Sequence, residues 1–431
     1  MAKKPIKATV RTYRVGFGDC FLLSFSYADG DARHVLIDFG STALPRFADK
    51  DLLRQVAEDI KRRTAGKLHV VVATHRHRDH ISGFATATSG KGSGDIIASL
   101  KPEVVLQPWT EDPDIPEDAT FSPKAKGKAA AAAAFRGGLA AMHAVSEHAL
   151  REATRARNLS KSVRKQLAFL GEDNLKNLSA VKNLQAMGKK GKAVFARYGT
   201  KVAALRSVLP GVTVRVLGPP DLTQTEAIRK QRSKDPTEFW HVAALGLKAL
   251  DGRGAPAGLR GRPIPLPSQA RWFRKRLDAA RGEQLLALVR ALDEQMNNTS
   301  LILLFQAGTK KLLFPGDAQI ENWRYALTEA KTAAANRRLL SSVDLYKVGH
   351  HGSLNATPKT LWNGFKRRGK ANAPRRLSTV VSTLSGQHGH ADRGTEVPRS
   401  VLMEALTKES TLLSSQDIKK AEKFRDLEVK L

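Results

Sequence analysis

His75-Arg76-His77-Arg78-Asp79-His80 places four metal-capable side chains within six residues. The stretch before it, Lys67 to Thr74, contains Leu68-His69-Val70-Val71-Val72-Ala73 and reads as a buried strand. The motif therefore sits in a loop at a strand end, where α/β proteins place ligand-binding groups. In an extended segment residues 75, 77 and 79 fall on one side, and His80 turns toward a second position. Imidazole and carboxylate together suit zinc, and also manganese or iron.

Upstream of this loop, Thr9 to Val15, Phe21 to Tyr27 and His34 to Phe39 are β-rich, separated by Gly- and Asp-containing turns. Asp49 to Arg63 carries Leu52, Leu53, Val56 and Ile60 on one helical face. Downstream, Ile96 to Leu100 ends a helix and Pro102 to Trp109 is strand-like. Strand character returns at Val212 to Leu217, Ser300 to Gln306, Lys311 to Phe314, Val343 to Val348, Ser378 to Ser382 and Leu427 to Leu431. Helices are expected after Asp317 and over Lys359 to Arg367. Strands near both ends with helices between them suggest two similar halves, sheets inside and helices outside.

Between these blocks the composition changes. Residues 123–210 hold 18 Lys/Arg against 4 Asp/Glu, with an alanine run at 129–134, and read as a basic helical insertion. Residues 220–296 read as a further helix and loop insertion. Within it, 251–270 is rich in Gly, Pro and Arg, an accessible place for proteolysis. The core is expected from 8–110, about 212–220 and 297–431.

The chain has 431 residues and a net charge of +31. So large an excess points to a polyanionic partner, nucleic acid foremost. Arg155, Arg157, Lys161, Arg164, Lys165, Lys189, Lys190 and Lys192 are the candidate phosphate contacts, although singly each reads as part of a solvated helix face. The lone cysteine, Cys20, excludes an intramolecular disulfide framework and reads as a small apolar side chain in a strand. No apolar run approaches the ~18 residues of a membrane span, and no apolar segment follows the charged first residues. The expectation is a cytoplasmic protein.

The hexapeptide resembles the signature of the metallo-β-lactamase superfamily. Its surroundings resemble one branch, the β-lactamase-like domain of ComEC competence channels and its soluble relatives. The matching segments are Val15-Gly16-Phe17-Gly18-Asp19-Cys20, Val35-Leu36-Ile37-Asp38-Phe39-Gly40, Asn297 to Leu301 with Leu313 to Ala318, Asp344 to Ser353, and Val381-Ser382 through Gly389-His390. They cover 8 to about 110 and 297 to about 405, in the family's order.

The resemblance implies a four-layer αββα sandwich and two divalent ions, zinc first and manganese as an alternative. It implies that His75 and His77 bind one ion, that Asp79 and His80 bind the other, and that Asp317 bridges them. One of His350 and His351 completes the second site, with His350 taken as the ligand. Asp79, His351 and His390 are then the catalytic groups, and Asp19 and Asp38 support the ligands from behind. Many members add a mid-chain His to the first site. The corresponding strand here, Val214 to Pro220, has none, while His143, His148 and His241 lie in helix-like sequence.

The expected activity is phosphodiester hydrolysis by a metal-bridged hydroxide, with a nuclease foremost. Alternatives are a small phosphoester, of the phosphorylcholine type, or a lactone as substrate. A further alternative is a nucleic-acid- or partner-binding module whose site is silent, or gated by a regulatory protein or by proteolysis.

Overall fold

The computed structural model describes residues 3–46, 48–112, 177–221, 223–225, 296–387 and 396–431. All of them belong to one compact unit, Met1–Asp114, Asn177–Thr225 and Met296–Leu431.

Strands β1 (Pro5–Tyr13), β2 (Cys20–Tyr27) and β3 (Ala32–Phe39) form an antiparallel meander. Helix α1 (Leu52–Arg63) then leads to β4 (Val70–Val72), which pairs parallel to β3. Short helix α2 (Arg78–Ile81) follows, then α3 (Ser93–Ser99), β5 (Val104–Pro108), α4 (Leu178–Lys190) and β6 (Lys192–Ala196). Next come α5 (Ala204–Val208) and a second meander, β7 (Val212–Gly218), β8 (Ile302–Ala307) and β9 (Lys310–Phe314). Helices α6 (Ile320–Arg324) and α7 (Ala333–Leu340) precede β10 (Leu345–Lys347). Then follow α8 (Lys359–Gly364), β11 (Ser378–Val381), α9 (Ser400–Glu409), β12 (Thr411–Ser414) and β13 (Phe424–Lys430).

One sheet has seven strands in the order β13-β1-β2-β3-β4-β5-β6, and the other has six in the order β12-β11-β10-β9-β8-β7. Each runs from an antiparallel meander into three further parallel strands, so the second half of the chain repeats the first. Strand β13 returns to pair antiparallel with β1.

Side-chain alternation places these sheets in layers. Along β2, Phe21, Leu23 and Phe25 face the second sheet, meeting Phe305, Leu312 and Phe314 in one cluster. Phe21 lies edge-on to Phe314 with ring centroids 6.0 Å apart. The opposite face of the first sheet, with Cys20, Leu22, Leu36 and Val71, packs on Val56 and Ile60 of α1, Ile97 of α3 and Leu184 of α4. The outer face of the second sheet, with Leu304, Leu313 and Tyr346, packs on Trp323, Leu340, Leu361 and Leu406. The architecture is α/β, two mixed sheets face to face with helices on both outer surfaces. Among the described residues no helix is long and apolar enough to cross a membrane.

The expected basic helical insertion of 123–210 needs correction. Asn177–Thr225 belongs to the same unit as the sheets, and Lys192–Ala196 forms the edge strand β6. Its parallel pairing with β5 overrides the helical propensity of the surrounding Lys and Ala. Lys189, Lys190 and Lys192 are exposed at this edge. Arg155, Arg157, Lys161, Arg164 and Lys165 lie outside the described residues, as does nearly all of the expected 220–296 insertion.

Two buried histidines between β3 and β4 couple stability to pH. The His34 backbone N–H donates to Nδ1 of His69 over 3.1 Å, and Ser24 Oγ lies 2.8 Å from His34 Nδ1. Burial, helped by Arg63, pushes His34 down from 6.5 to about 4. Burial, with Arg33, His34 and Lys67, does the same to His69. From about pH 6.5 to about pH 4 the unfolded chain then binds more protons than the folded one. Stability should therefore fall with acidification across that window, by on the order of 2 kcal/mol for the pair, and level off below it. His69→Asn keeps an acceptor for the His34 amide but does not titrate. Urea titrations of the metal-free chain at pH 7, 6, 5 and 4 should show a shallower pH slope for this variant. An identical slope would mean that His69 binds its proton equally in both states.

Candidate metal centre

The cluster forms where parallel strands end. The loop after β4 brings His75, His77, Asp79 and His80. The turn after β9 brings Asp317, and the loop after β10 brings His350 and His351. Gly40, just past β3, lets these loops close: a Cβ there would lie 2.5 Å from the Arg78 carbonyl oxygen and from the Asp79 carbonyl carbon. Gly316 has φ +56°, and a Cβ on it would meet the Thr74 side chain at 2.8 Å.

Asp79, His80, Asp317 and His351 are all buried, and one donor atom from each lies within 4.8 Å of the others. His80 Nε2 is 3.1 Å from Asp317 Oδ2 and 3.7 Å from Asp79 Oδ2. His351 Nε2 is 2.6 Å from Asp79 Oδ2 and 3.9 Å from Asp317 Oδ2.

The reverse faces of these side chains are pinned. Asp38, itself at φ +54°, accepts the Thr74 amide and hydroxyl, each over 2.7 Å, and His80 Nδ1–H over 2.8 Å. His351 Nδ1–H donates to the Ser382 carbonyl over 2.9 Å, and the Phe17 ring lies against the imidazole at 4.3 Å between centroids. With Nδ1 committed, Nε2 of both rings faces the cluster. Asp317 Oδ1 accepts the His350 backbone N–H over 3.0 Å, leaving Oδ2 toward the histidines.

Burial opposes the charge on every group here, and the groups charge one another. Against burial, Asp317, Asp79, Asp38 and Asp19 hold His80 well above the ordinary imidazole value. Asp79 and Asp317 are held well below the usual carboxylate range despite burial, by His80 foremost. Burial works against His351 too, but Asp79, Asp317 and Asp19 raise it to about 9. Buried imidazoles and carboxylates packed this tightly form a group that could hold a metal ion, which would take the place of the protons. Asp79 Oδ1, buried with no hydrogen-bond partner among the described residues, fits the same reading.

His75 and His77 stand apart from this group. His75 Nε2 is 3.0 Å from His77 Nδ1, which also lies 3.1 Å from Asn297 Oδ1. Burial, then His80 and His77, lower His75 well below its ordinary value, so it is neutral. Among the described residues neither belongs to a cluster of three or more metal-capable donors. Asp221, beyond β7, is committed to Arg197 at 3.0 Å and to the Thr223 and Gln224 amides.

Of the histidine pair, the structure places His351 rather than His350 in the cluster. Both have positive φ, +44° and +51°, and the turn they make buries His351 completely. His350 stays at the rim, its Nε2 4.0 Å from Asp317 Oδ2 and its side chain 27% exposed. The resemblance takes His350 as the ligand and His351 as the catalytic group of the pair; the geometry brings His351, and not His350, into the group of four. His390 lies outside the described residues, as do His143, His148 and His241.

Lys347 departs from both readings open to it in the sequence, a head group on substrate or a strand-edge side chain reaching for solvent. It sits in the middle of the second sheet, 2% exposed. Its Nζ is ion-paired with Asp19, 3.4 Å from Asp317 Oδ1 and 3.2 Å from the Gly316 carbonyl. Burial would lower it, but Asp19 and Asp317 outweigh that and raise it above the usual lysine range. Sequence reasoning gave no role to Thr74, Asn297 or Ser382, although Asn297 and Ser382 lie in two of the family-like segments and Thr74 directly precedes the hexapeptide. Trp109 and Trp323 are buried and present no face for stacking bases.

A comparison of the chain with protein-family models finds no match, and neither does a comparison with curated proteins.

Proposed function

We propose that this chain is a metal-dependent hydrolase of the metallo-β-lactamase fold, a phosphodiesterase acting on nucleic acid. The buried Asp79–His80–Asp317–His351 cluster, gathered from the loops after β4, β9 and β10, carries the reading. Divalent ions held there would supply Lewis-acid activation of water and neutralise charge developing on phosphoryl oxygens.

The protein's own groups have separate tasks. Asp38 and the Ser382 carbonyl orient His80 and His351 so that Nε2 faces the cluster, where it would hold an ion. Asp317 has Oδ2 toward the same histidines, and would offer it to an ion, because Oδ1 is held by the His350 amide and Lys347. Asp79 Oδ1, which has no other partner among the described residues, is placed to accept the proton lost by water. His75 and His77 adjoin the cluster through the His75 and His80 rings, tilted against each other with centroids 4.1 Å apart, and would hold a weaker second ion. The net charge of +31 favours a polyanion over a neutral lactone.

The test is hydrolysis by the full chain with zinc or manganese, on supercoiled plasmid, linear DNA and single-stranded RNA. At least one polymer should be cut, with cutting lost on chelation and restored by metal. Hydrolysis of a small phosphodiester but of no polymer would refute the nucleic-acid assignment. Hydrolysis of neither would refute the enzyme.

A further inference from the structure

The apolar cluster on the outer face of the second sheet stops partway along the strands. Leu217, Leu304 and Leu313 belong to it, together with Leu340 and Trp362 from the helices. Two residues further along the same face come Arg215 of β7, Gln306 of β8 and Lys311 of β9. Arg215 is exposed, and Gln306 and Lys311, which pair across β8 and β9, are half-buried. The chain beside β10 extends this row. The Asp344 backbone N–H donates to the Lys311 carbonyl and the Ser378 N–H to the Asp344 carbonyl, each over 2.9 Å, and the Leu377 N–H donates to the Arg367 carbonyl over 2.8 Å. Lys310, Lys311, Arg367 and Arg375 are thereby gathered at the start of β9, β10 and β11.

One carboxylate serves this group. Asp344 is ion-paired with Arg367 and, over 3.3 Å, with Lys310, and it also accepts the Lys311 amide over 2.9 Å. Lys311 Nζ donates to Ser342 Oγ. Arg215 and Arg375 are exposed and make no ion pair among the described residues. The cations act on one another. Burial, then Arg367 and Arg375, hold Lys310 below the usual lysine value; burial, then Arg367 and Arg215, do the same to Lys311. An anion laid across this face would relieve that repulsion. Lys311 lies near the start of β9 and Asp317 beyond its end, so at about 3.3 Å per strand residue the patch is more than about 10 Å from the metal centre. A phosphate held here is not the one being cut, but it can belong to the same polymer.

We propose that this face binds the phosphate backbone of nucleic acid, apart from the metal centre and without reading sequence. The inference rests on the nucleic-acid reading above and adds to it a surface that holds the polymer while the cluster cuts it. Arginine forks match phosphate, and phosphate contacts position a polymer without reading its bases. The exposed large apolar side chains among the described residues are Ile6, Leu178, Ile320, Leu354 and Val401. None lies in this row, so nothing here would enter a lipid surface.

The test is binding of a fluorescein-labelled DNA duplex of about 30 base pairs to the full chain in EDTA, followed by anisotropy between about 50 and 200 mM salt. The Arg215→Glu, Arg375→Glu double variant should bind about 30-fold more weakly. The slope of its log affinity against log salt should be shallower by about two, one for each lost phosphate contact. Lys61→Glu, Lys67→Glu, an equal charge change at exposed positions on and just beyond α1, should stay within about threefold of wild type with the slope unchanged. No binding by the wild type, an unchanged slope in the first variant, or equal loss in both overturns the surface. So does binding to phosphatidylserine vesicles without binding to DNA. Binding in EDTA needs no catalysis, so hydrolysis is read separately. The metal-loaded wild type and both variants should cut a small p-nitrophenyl phosphodiester equally, because Arg215 and Arg375 lie apart from the cluster. A selective loss of that activity in the Arg215→Glu, Arg375→Glu variant would overturn their separation from the site. If the wild type does not cut it, the phosphodiesterase reading has failed, and the DNA-binding result decides the surface by itself.

Discussion

The Asp79→Ala, His80→Ala double variant should lose phosphodiester hydrolysis by about four orders of magnitude or more and retain less than one tightly held ion per chain. Each residue supplies a donor atom to the buried group of four, so the pair removes half of it. Losing one electrostatic stabiliser of a transition state costs about 10²–10³ in rate, and two in one centre multiply toward the stated loss. Removing them together also protects the fold. Protonated His80 and ionised Asp79 carry opposite charges, and deleting both leaves the net charge of the cluster unchanged, whereas deleting one strands the other. Metal content by elemental analysis and hydrolysis of a chromogenic phosphodiester are the two readouts. Asp38→Asn is the graded comparison. Asp38 bonds the back of His80 and the Thr74 amide and hydroxyl, so its loss should cost about 10- to 100-fold. A double variant that still hydrolyses within tenfold of wild type would remove the chemistry from this cluster altogether.

The contrast between these two variants follows the line between what the sequence discloses and what it does not. The hexapeptide after Val70–Val72 is legible because a short, β-branched apolar run fits a strand buried on both faces, and four metal-capable side chains crowd its end. Asp317 is marked only by the family-like segment Leu313 to Ala318. The β-rich segments Phe21 to Tyr27 and Ser300 to Gln306 are legible as strands, and the order of the segments suggests two similar halves.

What stays hidden is set by contacts between residues far apart in the chain. Strand β6 is five residues inside a Lys- and Ala-rich stretch, and only its edge pairing with β5 makes it a strand. Strand β12, Thr411–Ser414, likewise follows a helix without a break in composition. The choice between His350 and His351 turns on two successive left-handed residues and a carbonyl 31 positions away, at Ser382. Lys347 reads as an ordinary strand lysine until the Val15–Cys20 loop folds over and sets Asp19 against it.

That last pairing carries the second large prediction. Lys347→Met should destabilise the metal-free chain by about 3–5 kcal/mol, measured by urea unfolding at neutral pH, although methionine nearly matches the lysine stem in volume. The cost arises at Asp19, which is 0% exposed. Burial already raises its carboxyl, and Lys347 is the largest influence holding the charge in place, ahead of His80 and His351. Without the ammonium a buried carboxylate is left with partial compensation from imidazoles 3.6–3.7 Å away that are already shared with Asp79 and Asp317. Asp19→Asn removes that charge, so the Asp19→Asn, Lys347→Met double variant should recover more than half of the loss. Recovery should stay incomplete because Asp317 Oδ1 also loses its neighbour. The coupling energy from this cycle separates charge pairing from packing. Were the lysine only filling space, the single Lys347→Met change would cost less than about 1.5 kcal/mol and the double variant would simply add the two single effects.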